Sequence, residues 1–525
     1  MKHLTRMRAP NIGERPAAPA LADAGPRTGR ADLYIAATVV ALGSTASILS
    51  STVVNVAVPD LQRVFGASLT DVQWVMSAYL LGLASVIPVS GYVSDRFGTR
   101  RVYLLTLLAF TIASGLCGAA WNLPSEIGFR VIQGLAGGMV MPVGMTILMS
   151  MAPATERGRM MAVLGVPMML APALGPTVGG WLIQAFSWQW VFWVNIPVGI
   201  LALIVGYRLL RDLPRRPTGP LDRVGLVLAM PGVALIIYGL TQASDHGWGA
   251  AEALIPLGLG VALVVTFTGW ELRSPHPLLD LAVFRDRGFA GAMVVNVILA
   301  SALFGAVFLV PVFMQEVQGF DTLRAGLLLA PQGIAAAAAM PISGLLTDRF
   351  GAKPVVFFGI LVLVAATVML TGVTPTTTNT EWITILAVRG VGMGFAMMPA
   401  FAAAYVTLPP PAIARATALS NTVQRVASSL GIAVLATIVQ TRVAAHLPGR
   451  FAHAQGAGGT LPTNLPPQVA QQIHTAVAMG FSDTFWVAAV IALLGLPAAL
   501  LLRRPLPPGE AALRADASSR AGTSA

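Results

Sequence analysis

The sequence predicts an all-α integral membrane protein of 14 transmembrane helices, built as two six-helix bundles with an inserted two-helix hairpin. Three observations carry this: scarce charge, fourteen apolar runs of bilayer length, and a motif that occurs twice at equivalent places. Hydrophobic residues make up 55% of the 525 positions and charged residues only 10%. A soluble protein keeps about 25% charged residues. With a mean hydropathy of +0.74, this chain takes lipid as its solvent.

A hydrocarbon core of about 30 Å is crossed by about 20 helical residues. The runs that qualify are 33–58, 72–93, 102–121, 125–149, 160–184, 190–210, 224–243, 253–271, 289–314, 325–346, 354–372, 383–407, 416–441 and 484–502. Backbone groups in lipid must be satisfied within their own segment, so these runs are helices, and bundle neighbours tolerate their Gly and Pro residues.

The repeat divides the chain. Residues 91–101 read GYVSDRFGTRR and residues 344–353 read GLLTDRFGAK. Each closes the second helix of a six-helix group, the first spanning 32–210 and the second 289–505. Helices 7 and 8 form a hairpin within 211–288, between RDLPRRPTGPLDR (211–223) and ELRSPHPLLDLAVFRDR (271–287). Two parallel halves around a central cavity is a transporter plan. Residues 1–31 and 506–525 read as tails, and 442–482 as an external loop.

Charge sets the orientation. With the N-terminus inside, the cytoplasmic segments hold 26 Lys/Arg and the outer segments four. Both termini are therefore expected in the cytoplasm. Trp74, Trp121, Trp188, Trp190, Trp248 and Trp382 then fall near the outer interface, as an aromatic belt would. The first 31 residues lack the apolar core of a signal peptide.

Composition also excludes classes of function. The net charge of +11 is dispersed in short clusters, which argues against nucleic acid as a partner. Cys117 is the single cysteine and the six histidines lie in tails or predicted loops, so neither a disulfide, a metal site nor a cofactor is expected. No Walker A sequence is present. The spans hold no cluster of His or carboxylates, so an enzyme is not expected. Two lysines against 31 arginines suggest coding bias in a GC-rich genome.

Further motifs sit on this frame: RVIQGLAGG (130–138), GVPMMLAPALGPTVGG (165–180), WQWVFWVNIPVG (188–199), PLLDLAVFRDRGF (277–289) and ALSNTVQRVASSLG (418–431). With the DRFG pair they resemble the major facilitator superfamily, in its fourteen-helix drug:proton antiporter branch, from about residue 33 to 505. The resemblance implies export of a small amphipathic molecule in exchange for protons, by alternating access, from a protein expected to be monomeric. It assigns gating to Gly91, Asp95, Arg96, Gly98 and Arg101 with their copy Gly344, Asp348, Arg349 and Gly351. It assigns an antiporter signature to Gly165, Gly175, Pro176, Gly179 and Gly180, in a helix that Pro167, Pro172 and Pro176 allow to bend. It places a proton-coupling arginine at Arg130. Together with the coding bias, the resemblance favours a bacterial cytoplasmic membrane.

Glu126 stands four residues earlier on the same helix face, which makes Glu126 and Arg130 the preferred coupling site. Snorkelling to the outer interface is the other reading of Arg130. Candidate cavity residues are Asn55, Gln133, Met141, Met145, Asn421 and Arg425. Asn421 and Arg425 can equally bond between helices or snorkel. Methionines on helices 4, 5 and 12 suit either a pliable lining or packing, and Asp483 is expected to cap helix 14.

One departure matters. The first helix ends SSTVVNVAVP (50–59), with Ser50 where many members of the branch have an aspartate. Its absence shifts the expected substrate from cationic drugs toward neutral, zwitterionic or anionic compounds. A dedicated exporter of one endogenous metabolite, and a membrane scaffold without transport, stay open as alternatives.

Overall fold

The structure, a computed structural model, describes residues 30–153, 155–212, 219–275, 277–408, 412–447 and 467–502. Among the described residues every regular element is helical. The first group holds α1 (Arg30–Phe65), α2 (Leu69–Val86), α3 (Ser90–Phe97), α4 (Thr99–Gly118), α5 (Leu123–Met151), α6 (Arg157–Ala185), α7 (Trp190–Trp193) and α8 (Asn195–Leu209). Next come α9 (Arg223–His246) and α10 (Ala251–Glu271). The second group holds α11 (Arg287–Glu316), α12 (Thr322–Phe350), α13 (Ala352–Leu370), α14 (Asn379–Val406), α15 (Ile413–His446), α16 (Pro467–Leu493) and α17 (Gly495–Ala499). Thirteen helical spans are long and apolar enough to cross a membrane, and the chain is a multi-pass membrane protein. The 29-residue α6, which holds Gly165–Gly180, lies outside that set and packs between α1 and α12.

Local chemistry explains the starts and turns. Ser68 with Asp71, Asn122 with Ser125, and Thr378 with Glu381 form capping boxes at α2, α5 and α14, each satisfying orphan N–H groups of the first turn. Asp286 and Asp321 cap α11 and α12. Pro88 lies in a 3-10 turn, Ile87–Val89, where α2 hands over to α3. The two DRFG copies end on Gly98 (φ 92°) and Gly351 (φ 84°). At both, the left-handed backbone conformation that glycine alone adopts freely turns one helix straight into the next.

Three expectations change. α1 continues through Pro59 to Phe65. α16 begins at Pro467, so 467–482 of the expected external loop are helical, as are 442–446 at the end of α15, while 448–466 lie outside the described residues. Asp483 is thus interior to a helix, where it pairs with His446 at 3.0 Å instead of capping. Trp382 is fully buried and donates its Nε1–H to Gln318 at 2.9 Å, whereas Trp121 is 74% exposed. The residues assigned to the tails lie outside the described residues, apart from 30 and 31.

The largest hydrophobic core runs through both groups. α9 packs on α10 and also on α2 and α15. Trp74 of α2 stacks on Tyr238 of α9, and Trp248 beyond α9 donates to Thr437 of α15.

Candidate functional site

Arg130 is the centre of a buried polar knot. Small residues put it there. A Cβ at Gly134 would lie 2.3 Å from the Tyr79 carbonyl oxygen, and one at Gly138 would lie 2.3 Å from that of Leu83. Glycines therefore let α5 approach α2 backbone to backbone, which draws Arg130 between α1 and α2. Its Nε donates to the Val75 carbonyl at 3.0 Å. Its Nη1 donates to Ser50 Oγ at 3.2 Å and to Gln133 Oε1 at 2.6 Å. The guanidinium lies 4.3 Å from the centre of the Tyr79 ring, a favourable cation–π placement. Gln133 passes the network on, donating Nε2 to Ser114 Oγ at 2.6 Å.

This geometry decides between the two readings of Arg130. The side chain is 0% exposed and is held by neutral acceptors on α1, α2 and α5, so it does not snorkel. Hydrogen bonds to a charged group contribute about 1.5–3 kcal/mol each, set against a desolvation penalty of several kcal/mol. The set is incomplete, since Nη2 has no partner.

Glu126 is also fully buried; neither carboxyl oxygen has a nitrogen or oxygen hydrogen-bond partner, and the Cys117 thiol is the polar side chain beside it. The expected pair thus shares one buried helix face without forming an ion pair. Ser50, the residue where an acid was expected, is the α1 group that touches the guanidinium.

The second group holds a counterpart that the sequence reading did not assign. Arg389 on α14 is 1% exposed. Its Nη1 donates to Gln332 Oε1 of α12 at 3.1 Å, and its Nη2 to the Leu303 carbonyl of α11 at 3.3 Å. Gly390 and Gly394 do for α14 what Gly134 and Gly138 do for α5, meeting the backbone of α12. The signal available in the sequence was this Arg with glycines in a span, in the fourth helix of its group.

The DRFG copies cross between the groups. Asp95 of α3 faces Arg415 at the start of α15, 3.9 Å away, and a Cβ at Gly91 would come within 3.0 Å of the Ala414 carbonyl. Asp348 of α12 accepts the backbone N–H groups of Gly158 (3.0 Å) and Arg159 (3.3 Å) at the start of α6. It caps that helix from the other half, where the macrodipole favours an acid. Gly344 lies under Arg159 with room for no side chain, and Arg157 donates to the Tyr405 carbonyl of α14. Arg96, Arg101 and Arg349 are exposed and, among the described residues, make no ion pair with the other group.

The antiporter stretch lies at the same seam. A Cβ at Gly165 would strike Met340 of α12 and Met398 of α14, while Gly175 and Gly179 lie against Thr52 and Val53 of α1. The helix runs unbroken past Pro167, Pro172 and Pro176, whose side chains lie outside the description. A Cβ at Gly180 would make ordinary contact with Val56 of α1, 4.0 Å away. Among the cavity candidates, Met145 and Asn421 meet across the two groups, Nδ2 lying 3.4 Å from Sδ. Gln133 belongs to the Arg130 knot, Met141 and Arg425 are half-buried, and Asn55 is exposed. Most of the named methionines are buried in the core shared by the two groups. A separate apolar groove of about 540 Å³ lies between α1 and α6, lined by residues such as Leu42, Leu49, Val163, Val166 and Leu170.

Comparison with known proteins agrees with this architecture. The family profile described as Major Facilitator Superfamily matches residues 40–432. A multidrug resistance protein B homolog of Mycobacterium tuberculosis is 36% identical over 480 residues, covering 88% of each chain. An uncharacterized MFS-type transporter of Bacillus subtilis, YhcA, is 33% identical over 480 residues, covering 87% of this chain and 90% of its own. Among solved structures, the human organic anion transporter MFSD10 superposes with a TM-score of 0.60 at 16% identity, over 88% of this chain and 99% of that one.

Proposed function

This chain belongs to the major facilitator superfamily, and we propose that it exports amphipathic small molecules from a bacterial cell in exchange for protons. It is a transporter and not an enzyme. In this reading α6 is the fourteenth span, α9 and α10 form the inserted hairpin, and both termini face the cytoplasm. Relatives named for multidrug resistance and the apolar α1–α6 groove support an amphipathic substrate.

The observation that carries the coupling is Glu126, a fully buried carboxyl with no ion-pair partner and the Cys117 thiol as its side-chain neighbour, one helical turn from an incompletely bonded guanidinium. A carboxylate stripped of water and partners is costly, whereas its protonated form is far less so. In the conformation described, Glu126 carries its proton and Arg130 rests on Ser50, Val75 and Gln133. When the helices part and water or substrate reaches Arg130, the freed guanidinium stabilises the carboxylate and the proton leaves. Glu126 thereby takes the part that an acid at position 50 plays elsewhere in the branch. The contacts of Asp95, Asp348, Gly91, Gly344 and Arg157 all lie toward the DRFG end, so in this conformation the two groups meet there.

The test is dye efflux from proteoliposomes under an imposed proton gradient. Native protein is expected to export in proportion to the gradient and Glu126→Gln to lose that dependence. Gradient-driven efflux persisting in Glu126→Gln would remove this residue from the coupling step. No efflux of a broad dye panel by native protein would overturn the export reading.

A further inference from the structure

A second groove lies on the flank of the first group, away from the polar knot. A groove of about 760 Å³ runs between α4 and α8 at the DRFG end. Arg100 and Arg101, from the first turn of α4, meet Arg208 of the last turn of α8 at its mouth. Below them Leu105, Leu108 and Ile204 are between 43% and 56% exposed, forming an apolar channel that continues along the helices.

The charge at the mouth is unbalanced. Asp212 offers one carboxylate, 3.4 Å from Arg100. Arg100 also donates to the Tyr207 carbonyl at 2.6 Å and lies over the Tyr207 ring. Arg101 and Arg208 have no hydrogen bond or ion pair among the described residues. The start of α4 compounds this, because no side chain caps it and its first turn holds no acid. Its dipole adds positive charge where two arginines already stand, an arrangement that an anion would relieve.

We propose that this groove binds an anionic phospholipid, its phosphodiester between Arg101 and Arg208 and an acyl chain along Leu105, Leu108 and Ile204. Guanidinium groups present paired donors that match phosphate oxygens, and basic pockets between transmembrane helices suit anionic headgroups. A free anion would satisfy the arginines but leave the channel below them unfilled, whereas a phospholipid answers both. A zwitterionic lipid brings its own ammonium to an already cationic mouth and binds less well.

Native mass spectrometry of the full chain, delipidated in detergent and titrated with dioleoyl phosphatidylglycerol or dioleoyl phosphatidylcholine, tests this independently of export. Native protein is expected to retain phosphatidylglycerol in preference to phosphatidylcholine. Retention should fall about fivefold for each guanidinium removed in Arg101→Gln/Arg208→Gln. Leu105→Trp, which fills the channel and leaves the arginines in place, should also weaken it and decides the matter should the double variant misfold. Equal retention of the two lipids by native protein, or retention unchanged in the variants, overturns the proposal. Displacement of phosphatidylglycerol by equimolar inorganic phosphate overturns it too, since the mouth would then be a simple anion site.

Discussion

In each half of the molecule an arginine from the fourth helix of its group reaches into the gap between the first two. Arg130 bonds to Ser50 of α1 and Val75 of α2, and Arg389 bonds to Leu303 of α11 and Gln332 of α12. Glycines on α5 and α14 make the same close approach in both places. The clamp repeats but the chemistry differs. One turn before Arg130 stands the buried Glu126, and one turn before Arg389 stands Ile385. A shared architecture thus supplies two buried guanidinium groups, and among the described residues only the first has a buried carboxyl one helical turn away.

The sharpest way to break this comparison is to remove each arginine. Arg130→Ala should abolish gradient-driven export and cost about 3 kcal/mol or more of stability, because it leaves a cavity and unpaired polar groups. Arg389→Ala should cost a similar amount in thermal unfolding yet leave export dependent on the gradient. Loss of that dependence in Arg389→Ala would make the halves equivalent and defeat the asymmetry.

Next in size is a charge transplant. Ser50 touches the guanidinium, so Ser50→Asp should restore an acid to it. In the Glu126→Gln background it is expected to raise gradient-driven efflux about tenfold over Glu126→Gln alone, a typical coupling free energy. No recovery in a well-folded double variant would mean that an acid beside Arg130 is insufficient.

A smaller effect is expected at the DRFG crossings, where Gly91 and Gly344 both lie against backbone of the other group. Gly91→Leu and Gly344→Leu each force a side chain against backbone, at about 1–3 kcal/mol of overpacking. Both should shift the population toward conformations open at the DRFG end. Distances between spin labels on α3 and α15, and on α6 and α12, report this once Cys117 is replaced. A shift in only one variant would show the two crossings to be unequal. The least effect belongs to His446→Ala, which removes the half-exposed pair with Asp483. Surface pairs contribute about 0–1 kcal/mol, so thermal unfolding should barely move.

Much of the fold was legible in the chain because partition into lipid is nearly a local property. Each apolar run declares itself by length, and each capping box by residues three apart. The repeat was equally plain, since GYVSDRFG and GLLTDRFG can be laid over one another without coordinates. The site was less so. Arg130 and Glu126 were visible as charges in a span, but snorkelling and burial look alike in a linear string. Arg389 offered the same kind of signal, a charge inside a span, and its burial between α11 and α12 is a matter of packing that the string does not record. The start of α16 was hidden because the polar stretch before Asp483 takes its helical structure from packing, as with Phe481, which is 1% exposed in the second-group core.

The sequence by itself determined a many-helix membrane chain with two related halves, a charge bias setting its expected orientation, and an arginine in the fourth span. These follow from composition, spacing and repetition, to which each residue contributes almost independently. Only the tertiary structure decided that Ser50 meets Arg130 across 80 positions of chain, that Glu126 is buried without an ion-pair partner, and that Asp348 caps a helix of the other half. Those relations depend on how closely helices approach. That distance is set by glycines meeting backbone from elsewhere in the chain, so no local pattern records it.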